Sequence, residues 1–274
     1  MIELYDISIG VVELEGDDHF AYVGDQPWLD VLERFVTGTV HPARAAVRQR
    51  SKARIQTLGR FSVNVRGSDV ANAEWGSRKA RQICKRLVAA RGWPVLRDEL
   101  CEMLWPDELE IDRLGARLSV PLSRVRRVLG GGVVADRQTV ALDLGEVATD
   151  LEVVMKATDD GVIVDSYTGV FLPEDVYDDW TRGPRDEARS RFVASALRLG
   201  EQAIDAGQWD LAMSLARKVL DVDRNEDKAY RLAIDSCHRC ADAPGARRVH
   251  RQWSDALSEI GLEAPDLDTL RKDK

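Results

Sequence analysis

Between Asp112 and Leu129 the sequence specifies a helix with two opposed faces, and this segment constrains the fold more than any other. Ile111, Leu114, Leu118, Leu122, Val125 and Leu129 recur at intervals of three and four, which sets them on one stripe of an α-helix. Arg113, Arg117, Arg124 and Arg127 fall on the other side, with Arg126 on the flank near Ser119 and Ser123. No acidic side chain lies between Arg113 and Leu129. An apolar back must be buried against other elements, and a guanidinium-rich front needs water or a polyanion. Pro121 lies inside the run and removes the hydrogen bond to the carbonyl of Arg117, so a kink or a start near Ser119 is expected.

The flanking segments supply an order. Ile55, Thr57, Gly59, Phe61, Val63 and Val65 alternate as one strand, closed by Arg66-Gly67. Ser77 is a suitable N-cap for a helix to Ala90 with Ala80, Ile83, Cys84, Leu87 and Val88 inward. A short helix follows from Arg97 to Leu104, and Trp105-Pro106-Asp107 breaks the chain. After the Arg-rich helix, Gly130-Gly131-Gly132 is a stop; with no downstream Lys-Ser/Thr it is not a phosphate cradle. Val133 to Ala135 and Thr139 to Leu144 then read as a hairpin with Arg137 at its turn. Strand, three helices and hairpin is the order of a winged helix. In that order the third helix enters the major groove and the hairpin tip meets the adjacent minor groove. Arg97, opening the second helix, is placed for a phosphate. Substituting Arg124 by Ala should therefore weaken DNA binding strongly, and substituting Arg78 much less.

The formal net charge of -8 argues against a polyanionic partner only if it is spread evenly. It is not: residues 1–53 carry -4, residues 54–150 carry +3 and residues 151–274 carry -7. The positive third is the one holding the Arg-rich helix.

Residues 1–53 read as a β-β-α extension and linker. Strands are expected at 2–13 and 20–23, then a short helix from Pro27 with Trp28, Leu32 and Phe35 on one side, and an Arg-containing linker from Ala43 to Arg54. So small a piece has little core of its own, and is expected to pack on the next domain or a second subunit. From 151 onward the chain reads as helices at 150–158, 185–206, 208–222, 226–240 and 244–260, with a loop through Tyr167 and Pro173. Ala206-Gly207-Gln208-Trp209-Asp210-Leu211-Ala212 recurs as Cys240-Ala241-Asp242-Ala243-Pro244-Gly245-Ala246, an offset of 34 residues, the tetratricopeptide period. The expected class is α+β, mostly α: a winged helix-turn-helix over 54–150, a tetratricopeptide-like all-α domain over 151–274, and the small extension in front.

These segments resemble the antibiotic-regulatory (SARP) family of bacterial activators, which join an OmpR-type winged helix to a tetratricopeptide-like bacterial transcriptional activator domain. The resemblance covers about residues 54–271. It is carried by Leu58-Gly59-Arg60-Phe61-Ser62-Val63, by Leu100 with Leu104-Trp105-Pro106-Asp107, and above all by Leu122-Ser123-Arg124-Val125-Arg126-Arg127-Val128-Leu129-Gly130. Tyr167-Thr168-Gly169, Trp180 and Gly261-Leu262-Glu263-Ala264-Pro265 add to it. It implies double-stranded DNA as partner, directly repeated promoter elements bound by two protomers head to tail, and contact with the sigma subunit of RNA polymerase. It places Arg117, Val120, Ser123, Arg124 and Arg126 where such winged helices meet DNA. Pro121, the low net charge and residues 1–53 depart from the family's pattern.

Other chemistry finds little support. Cys237-His238-Arg239-Cys240 with His250 invites zinc, but both thiols would lie on one helix rather than in a turn, and packing between helices accounts for them. No Gly-x-Ser-x-Gly or His-Glu-x-x-His occurs, so no enzyme, metal or cofactor is expected. The start lacks a secretion signal and no run of about eighteen apolar residues occurs, so a cytoplasmic protein without a membrane partner is expected. Two readings remain open: a DNA-binding regulator, and a protein-interaction adaptor whose winged helix has lost its DNA.

Overall fold

A computed structural model describes residues 51–107, 111–267 and 269–270, the side chains of 111–115 excepted. The strands and helix expected before residue 51 lie outside the described residues. The chain divides into two compact units, one made of residues up to Ala157 together with Phe171–Arg185, the other of Thr158–Val170 and everything from Asp186.

In the first unit β1 (Ala53–Gln56) and β2 (Ser62–Val65) form an antiparallel hairpin with Ala53 opposite Val65 and Gln56 opposite Ser62. The single strand expected over 55–65 is therefore two. The alternation of burial breaks at the turn: Thr57 and Leu58 are both buried, and Gly59, at φ 80°, reverses the chain. β3 (Ser68–Asp69) extends the sheet beyond β2, and β7 (Val147–Thr149) joins β1 in parallel. A 3₁₀ turn over Asn72–Trp75 leads into α1 (Arg78–Ala89), whose N-cap Ser77 accepts from the amide of Ala80 as expected. Next come β4 (Val95–Leu96), α2 (Arg97–Leu104), α3 (Ile111–Leu129), β5 (Val133–Ala135) and β6 (Thr139–Leu142). β4, β6 and β5 make a second, three-stranded sheet. β6 ends two residues short of the expected strand.

The apolar faces meet as the spacing requires. Ile83, Leu87, Leu100, Leu118, Val125, Leu129 and Val140 are all wholly buried. At roughly 25 cal/mol per Å², each such leucine stabilises by about 2 kcal/mol. The end of β7 is tied to β1 by Asp150, the first residue of α4 (Asp150–Lys156). Its carboxylate accepts from the amides of Thr57 and Leu58, each at 2.8 Å, from Thr57 Oγ1 at 2.6 Å and from its neighbour Leu151. The segment Phe171–Arg185 returns to this unit: Leu58 bridges Phe171, and Asp175 holds the buried ammonium of Lys85 at 2.5 Å. Arg185 closes the segment by donating to the carbonyls of Phe171, Asp175 and Val176.

In the second unit the expected helices appear as α6 (Arg182–Asp205), α7 (Trp209–Val222), α8 (Asp227–Arg239) and α9 (Ala243–Glu259), α6 starting within the first unit. One more, α5 (Asp160–Ser166), replaces part of the expected loop, capped by Asp159. The 34-residue repeat has a structural counterpart. Gly207 and Ala241 both take positive φ at the end of a helix, at 72° and 57°. In each case the next residue's amide donates to the carbonyl five residues back, Gln208 to Ala203 and Asp242 to Cys237. Close helix approach accompanies it: a Cβ on Gly200 of α6 would stand 2.2 Å from Leu232 Cδ2 of α8. Tyr230 stacks on the buried Trp253 at 5.6 Å between ring centres.

Candidate nucleic-acid interface

α3 runs unbroken from Ile111 to Leu129, so Pro121 neither ends it nor moves its start to Ser119. The ring of Pro121 is buried beside Leu118, Leu122 and Val125, on the anchoring side. Its missing N–H therefore costs the helix one hydrogen bond without disturbing the outward face. α1 and α2 both pack on α3. Three consecutive glycines with positive φ then end it, and the amide of Gly131 donates to the carbonyl of Arg126.

The outward face is built as follows. Val120 is 75% exposed at its centre. Ser123 and Arg127 continue the line, and Arg126 lies on one flank, all three exposed. On the other flank two arginines are engaged by protein. Arg117 lies over the ring of Trp105 at 5.3 Å, and Lys79 of α1 lies over the same ring at 4.1 Å while its Nζ donates to the carbonyl of Leu104 at 2.5 Å. The guanidinium of Arg124 is half-buried against the turn before α1: a Cβ on Gly76 would stand 2.9 Å from its Nε. Gly76 has φ 64°, so both its backbone and its missing side chain suit this contact. The side chain of Arg113 lies outside the described residues.

The wing contributes differently from expectation. Arg137 is exposed at the turn between β5 and β6. The Asp136 carboxylate accepts from the amides of Gln138 and Thr139 and from the Thr139 hydroxyl, which hold it below the usual aspartate range; Arg97 adds to this. Arg97 faces the wing: its amide donates to the carbonyl of Gln138 at 2.8 Å, and its Nε is buried without a hydrogen-bond partner among the described residues. The first amide of α2 is thus taken by the wing rather than offered to an anion.

Of the nine residues singled out from the sequence, Val120, Ser123, Arg126 and Arg127 share one exposed surface, with Arg137 exposed on the wing. Arg117 and Arg124 stand at its edge, and Arg97 belongs to the wing's support. Trp105 and Gly76 were not singled out as site residues. Trp105 lies in the Leu104-Trp105-Pro106-Asp107 segment, whereas nothing local to Gly76 indicates its contact with Arg124. Elsewhere, Cys237 is buried and Cys240 exposed, both lining a groove of about 680 Å³ with Arg217 and Arg248. Burial raises the Cys237 thiol above its ordinary pKa. Among the described residues no group of three His, Cys, Asp or Glu side chains is placed to hold a metal ion. No described helix is long and apolar enough to cross a membrane.

No family model and no curated protein matches the sequence. Among solved structures the chain is similar to Mycobacterium tuberculosis EmbR in complex with a low-affinity phosphopeptide, with a TM-score of 0.61 and 17% identity. What they share is the fold. The similarity covers 81% of this chain and 64% of that one, so the chain spans less than two thirds of EmbR's length. It supports the architecture that the sequence resemblance implies, a winged helix joined to a helical domain.

Proposed function

We propose that this protein is a DNA-binding transcriptional regulator of the SARP type, with α3 laid in the major groove and the β5–β6 wing beside it. The observation that carries this reading is the outward face of α3. Val120 and Ser123 are exposed together with Arg126 and Arg127, with no carboxylate from Ala116 to Leu129. Guanidinium groups pair with guanine edges or phosphates, and a bare valine suits a thymine methyl. Arg117 and Arg124, held by Trp105 and by the Gly76 turn, serve as pre-set backbone contacts at the rim. Family resemblance extends the reading to an activator on directly repeated promoter elements that touches the sigma subunit of RNA polymerase, with residues 54–150 as the DNA-binding domain and 151–274 as the activator domain.

A second reading keeps the helical unit as a partner-binding adaptor and gives α3 no DNA. The engagement of Arg117 and Arg124 by protein groups favours it. Selection of bound duplexes from a random library, repeated across a salt series, separates the two. The regulator retains a recurring sequence, with affinity falling steeply as salt rises. The adaptor retains none.

A further inference from the structure

The four-stranded sheet β3–β2–β1–β7 of the first unit has two unlike faces. Ala53, Ile55 and Val63 point inward and are buried, and Val65 on the same side meets the end of α3, where a Cβ on Gly130 would stand 3.9 Å from Val65 Cγ1. The opposite face carries no large apolar side chain: Arg54 stands opposite Asn64, Asn64 opposite Asp69, and Gln56 opposite Ser62. With Lys52, Arg60 and Arg66 these residues line an open trough of about 700 Å³.

Its amides are already used. Gln56 Oε1 accepts from Arg60 Nε at 2.8 Å and Ser62 Oγ at 3.2 Å, and Asn64 bridges Asp69 and the amide of Gly67. Lys52 pairs with Glu146. Arg60 and Arg66 are exposed, and among the described residues neither meets a carboxylate. A four-cation trough whose lining includes one acid, Asp69, fits a carboxylate-rich polypeptide.

The chain itself contains such a stretch. Residues 1–33 hold nine Asp and Glu and not one Lys or Arg, whereas residues 34–54 hold six Lys and Arg and no acid. The chain reaches the trough at its rim, since Ser51 is one of its lining residues. The seventeen residues 34–50 span at most about 60 Å, ample to return the acidic stretch to this face. A tether of that length gives an effective concentration on the order of millimolar, which turns weak surface pairs into a populated contact.

We propose that the outer face of the β1–β2–β3 sheet is a docking surface for carboxylate-rich polypeptide, and that residues 1–33 of this same chain are its occupant. The contact is electrostatic and intramolecular, and it does not depend on the DNA reading.

The test uses the full chain carrying Arg60→Lys and Arg66→Lys, which keep the charge and add amines that a carbodiimide couples to adjacent carboxylates. Trypsin cuts nowhere before Arg34, so the acidic stretch is recovered whole. Amide links from positions 60 and 66 to that fragment are expected, with a yield unchanged over about hundredfold dilution and about tenfold lower in ~0.5 M salt. An Arg251→Lys chain gives the background. Links only to Asp69 or Glu146, links through Lys52 alone, a yield that scales with concentration, or equal yield from Arg251→Lys would each overturn the proposal.

Discussion

Replacing Asp150 by Ala should strongly destabilise the first unit. The carboxylate satisfies two backbone amides, Thr57 and Leu58, that are wholly buried, besides the Thr57 hydroxyl and the Leu151 amide. An orphaned buried amide costs about 1–3 kcal/mol, so the two together cost about 2–6 kcal/mol. That is a large part of the roughly 5–15 kcal/mol that keeps a domain folded. At about 2–4 °C per kcal/mol, the calorimetric transition of the first unit should fall by some 5–20 °C. The transition of the second unit should not move. Thr57→Val removes only the hydroxyl donor, at about 1 kcal/mol, and serves as the comparison. The pH dependence adds a sign. Burial raises the Asp150 carboxyl above its ordinary value, against the pull of its donors. The folded chain thus holds this proton more tightly than the unfolded one. The group's contribution to stability is full below the ordinary aspartate pKa and is lost as pH rises through the raised value. Asp150→Asn should flatten that part of the profile. If Asp150→Ala costs no more than Thr57→Val, or shifts both transitions alike, the staple reasoning is wrong.

Four further substitutions probe other contacts. Lys85→Met leaves Asp175, whose side chain is 12% exposed, without its cation, and should cost the first unit about 3–5 kcal/mol by urea unfolding. Adding Asp175→Leu should recover most of that stability. Ala241→Gly relieves a left-handed alanine at φ 57° and should stabilise the second unit by about 1 kcal/mol in the same assay, whereas Gly207→Ala at the equivalent turn should destabilise it by a similar amount.

The elements that sequence period specifies were legible, and those set by distant partners were not. The stripe Leu118, Leu122, Val125, Leu129 fixes α3 and its buried side, because only a helix brings those four together. The turn at Gly207 was legible through its copy 34 residues on, although the copy uses alanine. The β1–β2 hairpin was hidden because Thr57, Gly59 and Phe61 carry the sequence alternation of Ile55 on to Val63, although the chain reverses at Gly59. α5 was hidden because seven residues with Gly161 inside give no period. The return of Phe171–Arg185 to the first unit depends on Lys85 some ninety residues earlier, a pairing that charge alone cannot select. The nine candidates lie on α3, at the start of α2 and in the β5–β6 turn. Which of them face outward, however, was decided by Trp105, Gly76 and the wing, groups remote in sequence from the arginines they hold.

Whether the arginine face of α3 meets duplex DNA is tested most directly by a salt titration of fluorescence anisotropy. A selected duplex should be bound by the full chain with log affinity falling linearly against log salt. Arg126→Ala with Arg127→Ala should reduce that slope by about 2, roughly one for each phosphate that is no longer neutralised. Arg78→Ala, on α1, should leave it nearly unchanged. Absence of binding to every duplex at low ionic strength, or a slope indifferent to the paired α3 substitutions, would contradict the claim.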